Sequence, residues 1–352
     1  MPETCAREGC QGTLPEKRRK TQKFCSLACA RLASNSSRMR SRLPERECAQ
    51  CGTVFQPNSR TNICCSLNCQ FARENEKRRE MRDKALFGRQ ETVLLHKIED
   101  VQEGEFAIYW ADSHVPFTDW PLMGVIGQVI HDFRPRREFI CGDVMDWYEI
   151  STFDKNPSRR GDLNDDRRQV TTVLDNHKSL SPGMIQVWDD GNHGDRLRRF
   201  LWRTQGGLYE LRDEDTDEPI LGVPALLNLT RRGIGYYPFP SRLDYNGFLI
   251  THGPKRGGAS KHCAKWMSEY VRSSGVCFHF HRNQTYSWAG DDGKPQSFYV
   301  IGCTCTLDPD YLPFPDWQQG FAYSRVINGK VHFTPVPVFD RSFIVEGQVY
   351  RY

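Results

Sequence analysis

From residue 105 onward the chain sets short apolar runs between polar or glycine-containing turns. The runs fall at 106–110, 138–141, 184–188, 248–251, 276–280 and 298–301. Runs of four or five residues bounded by turns are too short for buried helices and suit buried strands. Helix-forming stretches lie between several of them, and this interleaving predicts an α/β fold with function-bearing loops at the strand ends. From Ser324 to the C-terminus, Val, Phe and Tyr alternate with polar residues, which predicts β-hairpins closing a second sheet.

Upstream of residue 105 this pattern gives way to another. Nine of the 14 cysteines precede residue 70, and their spacing repeats. Cys5, Cys10, Cys25 and Cys29 form a first set; Cys48, Cys51, Cys65 and Cys69 form a second. Cys25 to Cys65 and Cys29 to Cys69 are both 40 residues apart, each pair within the phrase Cys-Ser-Leu-Xaa-Cys, so the segment is an internal duplication. A short turn carrying two thiolates makes half of a tetrahedral site. Two cysteines four apart on the first turn of a helix point the same way and complete it. Segments this short bury too little apolar surface to fold alone, so the metal supplies the folding energy. The pattern resembles treble-clef-like zinc modules and predicts two structural Zn²⁺, with Cys64 a spare that could replace Cys65. The expected divisions are zinc modules at 1–34 and 44–73, a charged linker helix at 74–104, and a catalytic domain at 105–352. The linker assignment rests on Glu-Asn-Glu-Lys-Arg-Arg-Glu-Met-Arg-Asp-Lys at 74–84, nearly all charged and built of good helix formers.

Charge sharpens this division. The formal net charge of +4 conceals 19 Lys/Arg against 9 Asp/Glu in residues 1–90, and 29 against 35 in the remainder. A head of charge +10 on a mildly acidic body suggests contact with a polyanion, or else a solvated, self-repelling tail. No run of about 18 apolar residues exists, so no membrane span is expected. The first thirty residues hold four cysteines and the basic run Lys17-Arg18-Arg19-Lys20, which is not a signal peptide. Clustered cysteines without such a signal read as cytoplasmic metal sites (in the host cytoplasm, if the chain is phage-encoded) rather than disulfides.

The strand ends of the body carry metal-ligand residue types. In order they are Asp112-Ser113-His114, Gly142-Asp143-Val144-Met145-Asp146, Gly191-Asn192-His193, His252, and His279-Phe280-His281. This order resembles the calcineurin-like metallophosphoesterases across about half the chain, and Trp317-Gln318-Gln319-Gly320-Phe321 is similar to a segment of phage-type members. The resemblance implies a two-sheet β-sandwich flanked by helices in four layers. It implies that Asp112, His114 and His281 hold one metal, that Asn192, His252 and His279 hold a second, and that Asp143 bridges both. His193 would not ligate; it would stabilise developing charge or protonate the leaving oxygen. Mn²⁺, Fe or Zn²⁺ all suit this donor set. Asp146 is a candidate to orient the imidazoles, and Arg196 a candidate to clamp a substrate phosphate, with Arg198 and Arg199 as solvated helix surface. Two positions depart from the family pattern: Gly194 follows Gly-Asn-His where an acidic residue is common, and Phe278 precedes His279 where Gly is common. Cys303 and Cys305, two apart on a strand, share a face and read as core thiols.

Two metals roughly 3.5–4 Å apart acidify a water and clamp a phosphate, which is what phosphoester hydrolysis needs at neutral pH. The leading expectation is a nuclease or other phosphodiesterase acting on DNA or RNA, its zinc modules gripping phosphates. Two alternatives stand beside it. One is a phosphomonoesterase whose modules dock a partner; the other is a non-catalytic nucleic-acid-binding protein.

Overall fold

The computed structural model describes residues 4–6, 9–14, 22–39, 44–57, 59, 62–66, 69–70, 73, 93–152, 154–156, 158–159, 161–254, 261–290, 293–308 and 315–352. The chain divides into two compact units, Met1–Phe87 and Gly88–Tyr352. In the first, a helix spans Leu27–Met39, and strands β1 (Arg46–Glu47) and β2 (Val54–Phe55) pair antiparallel. Strands of two residues offer no face to bury, so the cysteines must organise this unit.

The second unit contains two six-stranded sheets. The first runs in the order β14 (Lys330–Pro337), β13 (Gly320–Ile327), β4 (Phe106–Trp110), β5 (Arg137–Ile140), β6 (Ile185–Asp189), β7 (Gly235–Tyr237). Strands β4 to β7 are mutually parallel, and β13 joins β4 antiparallel. The second runs β11 (Gln284–Ala289), β12 (Pro295–Val300), β10 (Gly275–Cys277), β9 (Phe248–Thr251), β8 (Ser241–Tyr245), β3 (Leu94–Lys97). A short hairpin, β15 (Ser342–Val345) with β16 (Gln348–Arg351), stands apart.

Period-two geometry explains the all-apolar strands. In β4, Ala107 and Tyr109 face the second sheet, packing with Phe139, Leu243, Tyr245 and Ile250. Phe106, Ile108 and Trp110 face the helices Trp120–Phe133 and Leu163–Leu180. Both faces are covered, so no position is left for a polar alternation. The helix Cys263–Val271 covers the outer face of the second sheet through Cys263, Ala264 and Met267. The layers are therefore helix, sheet, sheet, helix, as the α/β expectation required. Asp119 caps the helix Trp120–Phe133, its carboxylate accepting from Leu122 N at 3.1 Å.

Buried polar networks tie the layers together. Glu138, fully buried, accepts from Trp110 Nε1 at 2.7 Å and Gln186 Nε2 at 2.8 Å, with His177 Nδ1 at 2.6 Å. Glu105 accepts from Arg137 Nε at 2.8 Å and from the Tyr245 hydroxyl at 2.9 Å, which links the two sheets.

Two expectations need correction. Within the span 74–104 assigned to a linker helix, Leu94–Lys97 is a strand, pairing parallel with β8; residues 74–92 lie outside the described residues. The body thus starts upstream of residue 105, and β3 forms the edge of that sheet. The hairpin from residue 320 extends the first sheet beside β4 rather than closing the second, whose six strands come from elsewhere in the chain. Among the described residues no helix is long and apolar enough to cross a membrane.

Candidate functional site

The residues nominated from sequence converge at the C-terminal ends of β4, β5, β6, β9 and β10. Asp112 and His114 follow β4, Asp143 follows β5, Asn192 opens the helix after β6, His252 follows β9, and His279 and His281 follow β10. Five of these seven, Asp112, His114, Asp143, His279 and His281, have φ between 47° and 65°. Left-handed backbone costs a non-glycine residue about 1–3 kcal/mol and persists only where the surroundings over-determine it, typically at functional sites. Two glycines admit this crowding. A Cβ on Gly142 would meet His252 Nδ1 at 2.4 Å, and one on Gly191 would meet Asp143 Oδ1 at 2.0 Å.

The ligating atoms fall into two adjoining groups. In the first, His281 Nε2 lies 3.1 Å from His114 Nε2 and 3.3 Å from Asp112 Oδ1, which is 3.7 Å from His114 Nε2. In the second, His252 Nε2 lies 3.1 Å from Asp143 Oδ2 and 3.3 Å from Asn192 Oδ1. Two ligands about 2.1 Å from one cation, at angles of about 90–109°, stand about 3.0–3.4 Å apart. The spacing fits a cation in each group. The His279 ring, 5.3 Å from that of His252 between centroids, joins the second side and lines the cavity.

Hydrogen bonds aim these groups inward. His252 Nδ1 is 2.9 Å from the Cys141 carbonyl, so Nδ1 carries the proton and Nε2 faces the site. Asp112 Oδ2 accepts from His279 N at 3.0 Å, while Oδ1 is buried without a hydrogen-bond partner. Asp143 Oδ1 accepts from His193 N at 2.8 Å, which leaves Oδ2 for the cavity.

Electrostatics agree with the geometry. Burial works against the charged forms of Asp112, Asp143 and Asp146, yet the surrounding imidazoles hold all three below the ordinary carboxylate range. Burial likewise favours neutral rings at His114, His252 and His281, and the carboxylates reverse it, raising them to about 9, 10 and 10. His279 goes the other way: burial, with His252 beside it, lowers it to about 3. Without cations, the buried carboxylates recruit protons onto inward-facing nitrogens. Divalent cations on those lone pairs would satisfy the same charge, and the orphaned Asp112 Oδ1 with it. The donor set fits a dinuclear centre.

The groups open into a cavity of about 190 Å³ whose wall includes His193, Arg196, Asp146, Tyr148, Ser151, Asp154 and Trp317. His193 Nδ1 is 3.0 Å from Asp146 Oδ1, and its Nε2 is 3.7 Å from Asp143 Oδ2. Arg196 lines the cavity too, but Nη1 donates to the Asp146 carbonyl at 2.6 Å and Nη2 is 3.1 Å from His193 Nε2. Asp146 therefore gathers His114, His193 and Arg196 around one carboxylate. Arg198 and Arg199 pair with buried Asp195. The two departures from the family pattern have local causes. A side chain at Gly194 would collide with the Asp190 carboxylate, and Phe278 is fully buried in the core between the sheets, clear of the loop. Tyr148, Ser151 and Asp154 carry no sequence signal; Tyr148 opens a single 3₁₀ turn, Tyr148–Ile150, and the other two follow it.

In the first unit, Cys5, Cys10, Cys25 and Cys29 bring their sulfurs together, as do Cys48, Cys51, Cys65 and Cys69. Cys10 to Cys25 is 3.7 Å, Cys25 to Cys29 is 3.4 Å, and Cys51 to Cys65 and Cys65 to Cys69 are each 3.6 Å. Four thiolates about 2.3 Å from a tetrahedral Zn²⁺ stand about 3.8 Å apart. Backbone N–H groups support both sets: Gly12 N donates to Cys10 Sγ and Cys65 N to Cys48 Sγ, and these hydrogen bonds hold both thiols below their usual range. Cys65 joins the cluster and Cys64 is buried outside it. Replacing Cys51 by Ser in the full-length protein should lower its zinc content by one ion per chain in elemental analysis. An unchanged count would rule the second cluster out as a zinc site.

No protein-family model and no curated protein matches the sequence. The fold is similar to that of Vps29 from Cryptosporidium parvum, at 11% identity over 71% of this chain and 100% of that one, TM-score 0.38. A dimetal phosphatase from Danio rerio is 11% identical over 66% of this chain and 96% of its own, TM-score 0.36. Nuclease MPE from Pseudomonas putida is 14% identical over 66% and 87%, TM-score 0.28.

Proposed function

We propose that the chain is a two-metal phosphoester hydrolase acting on phosphodiesters of DNA or RNA. The carrying observation is the pair of adjoining candidate ligand groups at one set of strand ends, with Asp112 Oδ1 buried among them without a hydrogen-bond partner. Asp112, His114 and His281 would hold one metal and Asn192, His252 and His279 the other, with Asp143 between them. Two divalent cations, of Mn²⁺, Fe or Zn²⁺, supply Lewis acidity to phosphoryl oxygens and a water acidic enough to attack at neutral pH. His193 would give the leaving oxygen a proton from Nε2 once Arg196 Nη2, which donates to that nitrogen at 3.1 Å, turns to the phosphate; Asp146 holds the imidazole from behind.

The basic first unit supports a nucleic-acid substrate, since Lys and Arg neutralise phosphates without reading bases. A phosphomonoesterase is the second reading, favoured by the small cavity of about 190 Å³, which holds a phosphate with little beyond it. The deciding experiment incubates pure protein and Mn²⁺ with labelled single- and double-stranded DNA, RNA and a chromogenic phosphomonoester. Cleavage confined to the monoester would overturn the nucleic-acid reading, and no hydrolysis of any substrate would overturn the enzymatic one.

Removing residues 1–90 should weaken binding to long duplex DNA, measured with zinc kept on the cysteine clusters and no Mn²⁺ added. It should also flatten the log–log salt dependence by about 0.9 for each phosphate that the truncated protein no longer neutralises. Hydrolysis of a small ester should barely change. An unaltered slope would mean that the first unit docks something other than nucleic acid.

A further inference from the structure

His281 has two ring nitrogens and only one is accounted for. Nε2 faces Asp112 Oδ1 at 3.3 Å and His114 Nε2 at 3.1 Å. Nδ1, on the other side of the ring, is buried without a hydrogen-bond partner. Histidines that bind metal through one nitrogen nearly always donate the other N–H to an acceptor, which fixes ring orientation and tautomer. His252 does this through the Cys141 carbonyl; His114 Nδ1 lies 3.4 Å from Asp146 Oδ1 but, like His281 Nδ1, makes no hydrogen bond. For His281, the thiols of Cys303 and Cys305 lie beside the ring, one ring nitrogen and the two sulfurs within 4.8 Å of one another and all three residues buried.

Of the two thiols, Cys303 is held in place. Its N–H donates to the Gln318 carbonyl at 2.9 Å, and Gln318 N donates to the His281 carbonyl at 2.7 Å. The Cys303 thiol turns toward that same Gln318 carbonyl, at 3.5 Å. Gln318 thus clamps His281 and Cys303 together, and the sulfur, with its proton directed at Gln318, keeps lone pairs for another donor. Trp317 closes the outside, its ring 4.3 Å from that of His281.

We propose that Cys303 is a positioning residue for the metal centre, its sulfur accepting the Nδ1–H of His281 and holding Nε2 toward the cation. The proposal rests on the dinuclear reading above. It gives the buried thiol a task that packing alone does not require.

The test measures Mn²⁺ binding to the full-length protein by titration calorimetry, with zinc kept on the cysteine clusters, for wild type, Cys303→Val and Cys303→Ser. Valine is apolar, larger than cysteine by about one methyl group, and cannot accept a hydrogen bond; serine can accept one but packs less well in an apolar site. One of the two Mn²⁺ steps should weaken by about 10–100-fold in the valine variant, the usual cost of losing such a partner, and recover in the serine variant. Thermal stability should follow the opposite order, valine above serine, so a purely structural role would show itself as affinity tracking stability. Valine and serine variants that bind Mn²⁺ as wild type does would overturn the role of Cys303. Wild type that binds no Mn²⁺ would instead overturn the metal-centre reading itself.

Discussion

Replacing Asp143 by Asn is expected to lower turnover on the order of 10³-fold or more while the fold survives. The size follows from charge. One unit charge at 4 Å from another is worth about 4 kcal/mol at an effective dielectric of 20, and each 1.36 kcal/mol is about tenfold. In the proposed site Asp143 stands between both cations, so the loss falls on both. The hydrogen bonds decide which way the new amide turns. Only an oxygen can accept from His193 N, now 2.8 Å from Oδ1, so the amide NH₂ must take the place of Oδ2. That position, 3.1 Å from His252 Nε2, then presents a donor where a ligand stood. Asn tolerates the left-handed backbone at this residue, whose φ is 48°, so little strain is added. Circular dichroism should match wild type, and Mn²⁺ affinity should fall along with activity. Unchanged turnover of the best substrate would sink the two-metal assignment.

The candidate site was legible in the sequence because each candidate ligand lies within a few residues of a short apolar run, and a buried strand fixes where its C-terminal loop emerges. Asp112 after β4 and Asp143 after β5 are cases in which local pattern and tertiary position coincide. Where the two part, the sequence is silent. Leu94 and Leu95 form an edge strand yet are 51% and 61% exposed, so no buried alternation marks them, and only pairing with β8 makes them a strand. The alternation in β13 and β14 predicts strands without naming a neighbour; β4 is chosen by the tertiary fold. The cavity wall at Tyr148, Ser151 and Asp154 comes from a loop whose position depends on elements far along the chain. Cys303 and Cys305 read as core thiols in the sequence, and they are buried as such, packed with Phe117 and Tyr148. Their closeness to His281 depends on Gln318, which lies beyond reach of any spacing rule.

Replacing His193 by Ala should leave metal binding intact and reduce turnover by about 10²–10⁴-fold, the usual contribution of one general acid. The ring is separable from the ligand set. His193 touches the centre through its backbone N–H, which alanine retains, and Arg196 Nη2, a cationic donor 3.1 Å from Nε2, occupies the nitrogen that a cation would need. Asp146 Oδ1, 3.0 Å from Nδ1, fixes the tautomer and can stabilise the charged ring. Burial lowers the His193 pKa against the pull of the Asp143 carboxylate, so the ring takes up the proton it gives only when an anionic substrate adds negative charge beside it. The dependence on leaving group then distinguishes two roles for this residue. An acid that protonates the departing oxygen matters most for poor leaving groups, so the variant should lose far less on a nitrophenyl ester than on an alkyl ester or nucleic acid. A residue that only stabilises charge on the phosphoryl oxygens would lose equally on both. Loss of bound Mn²⁺ in His193→Ala would show instead that this imidazole is a ligand, and the division of roles between His193 and His279 would have to be redrawn.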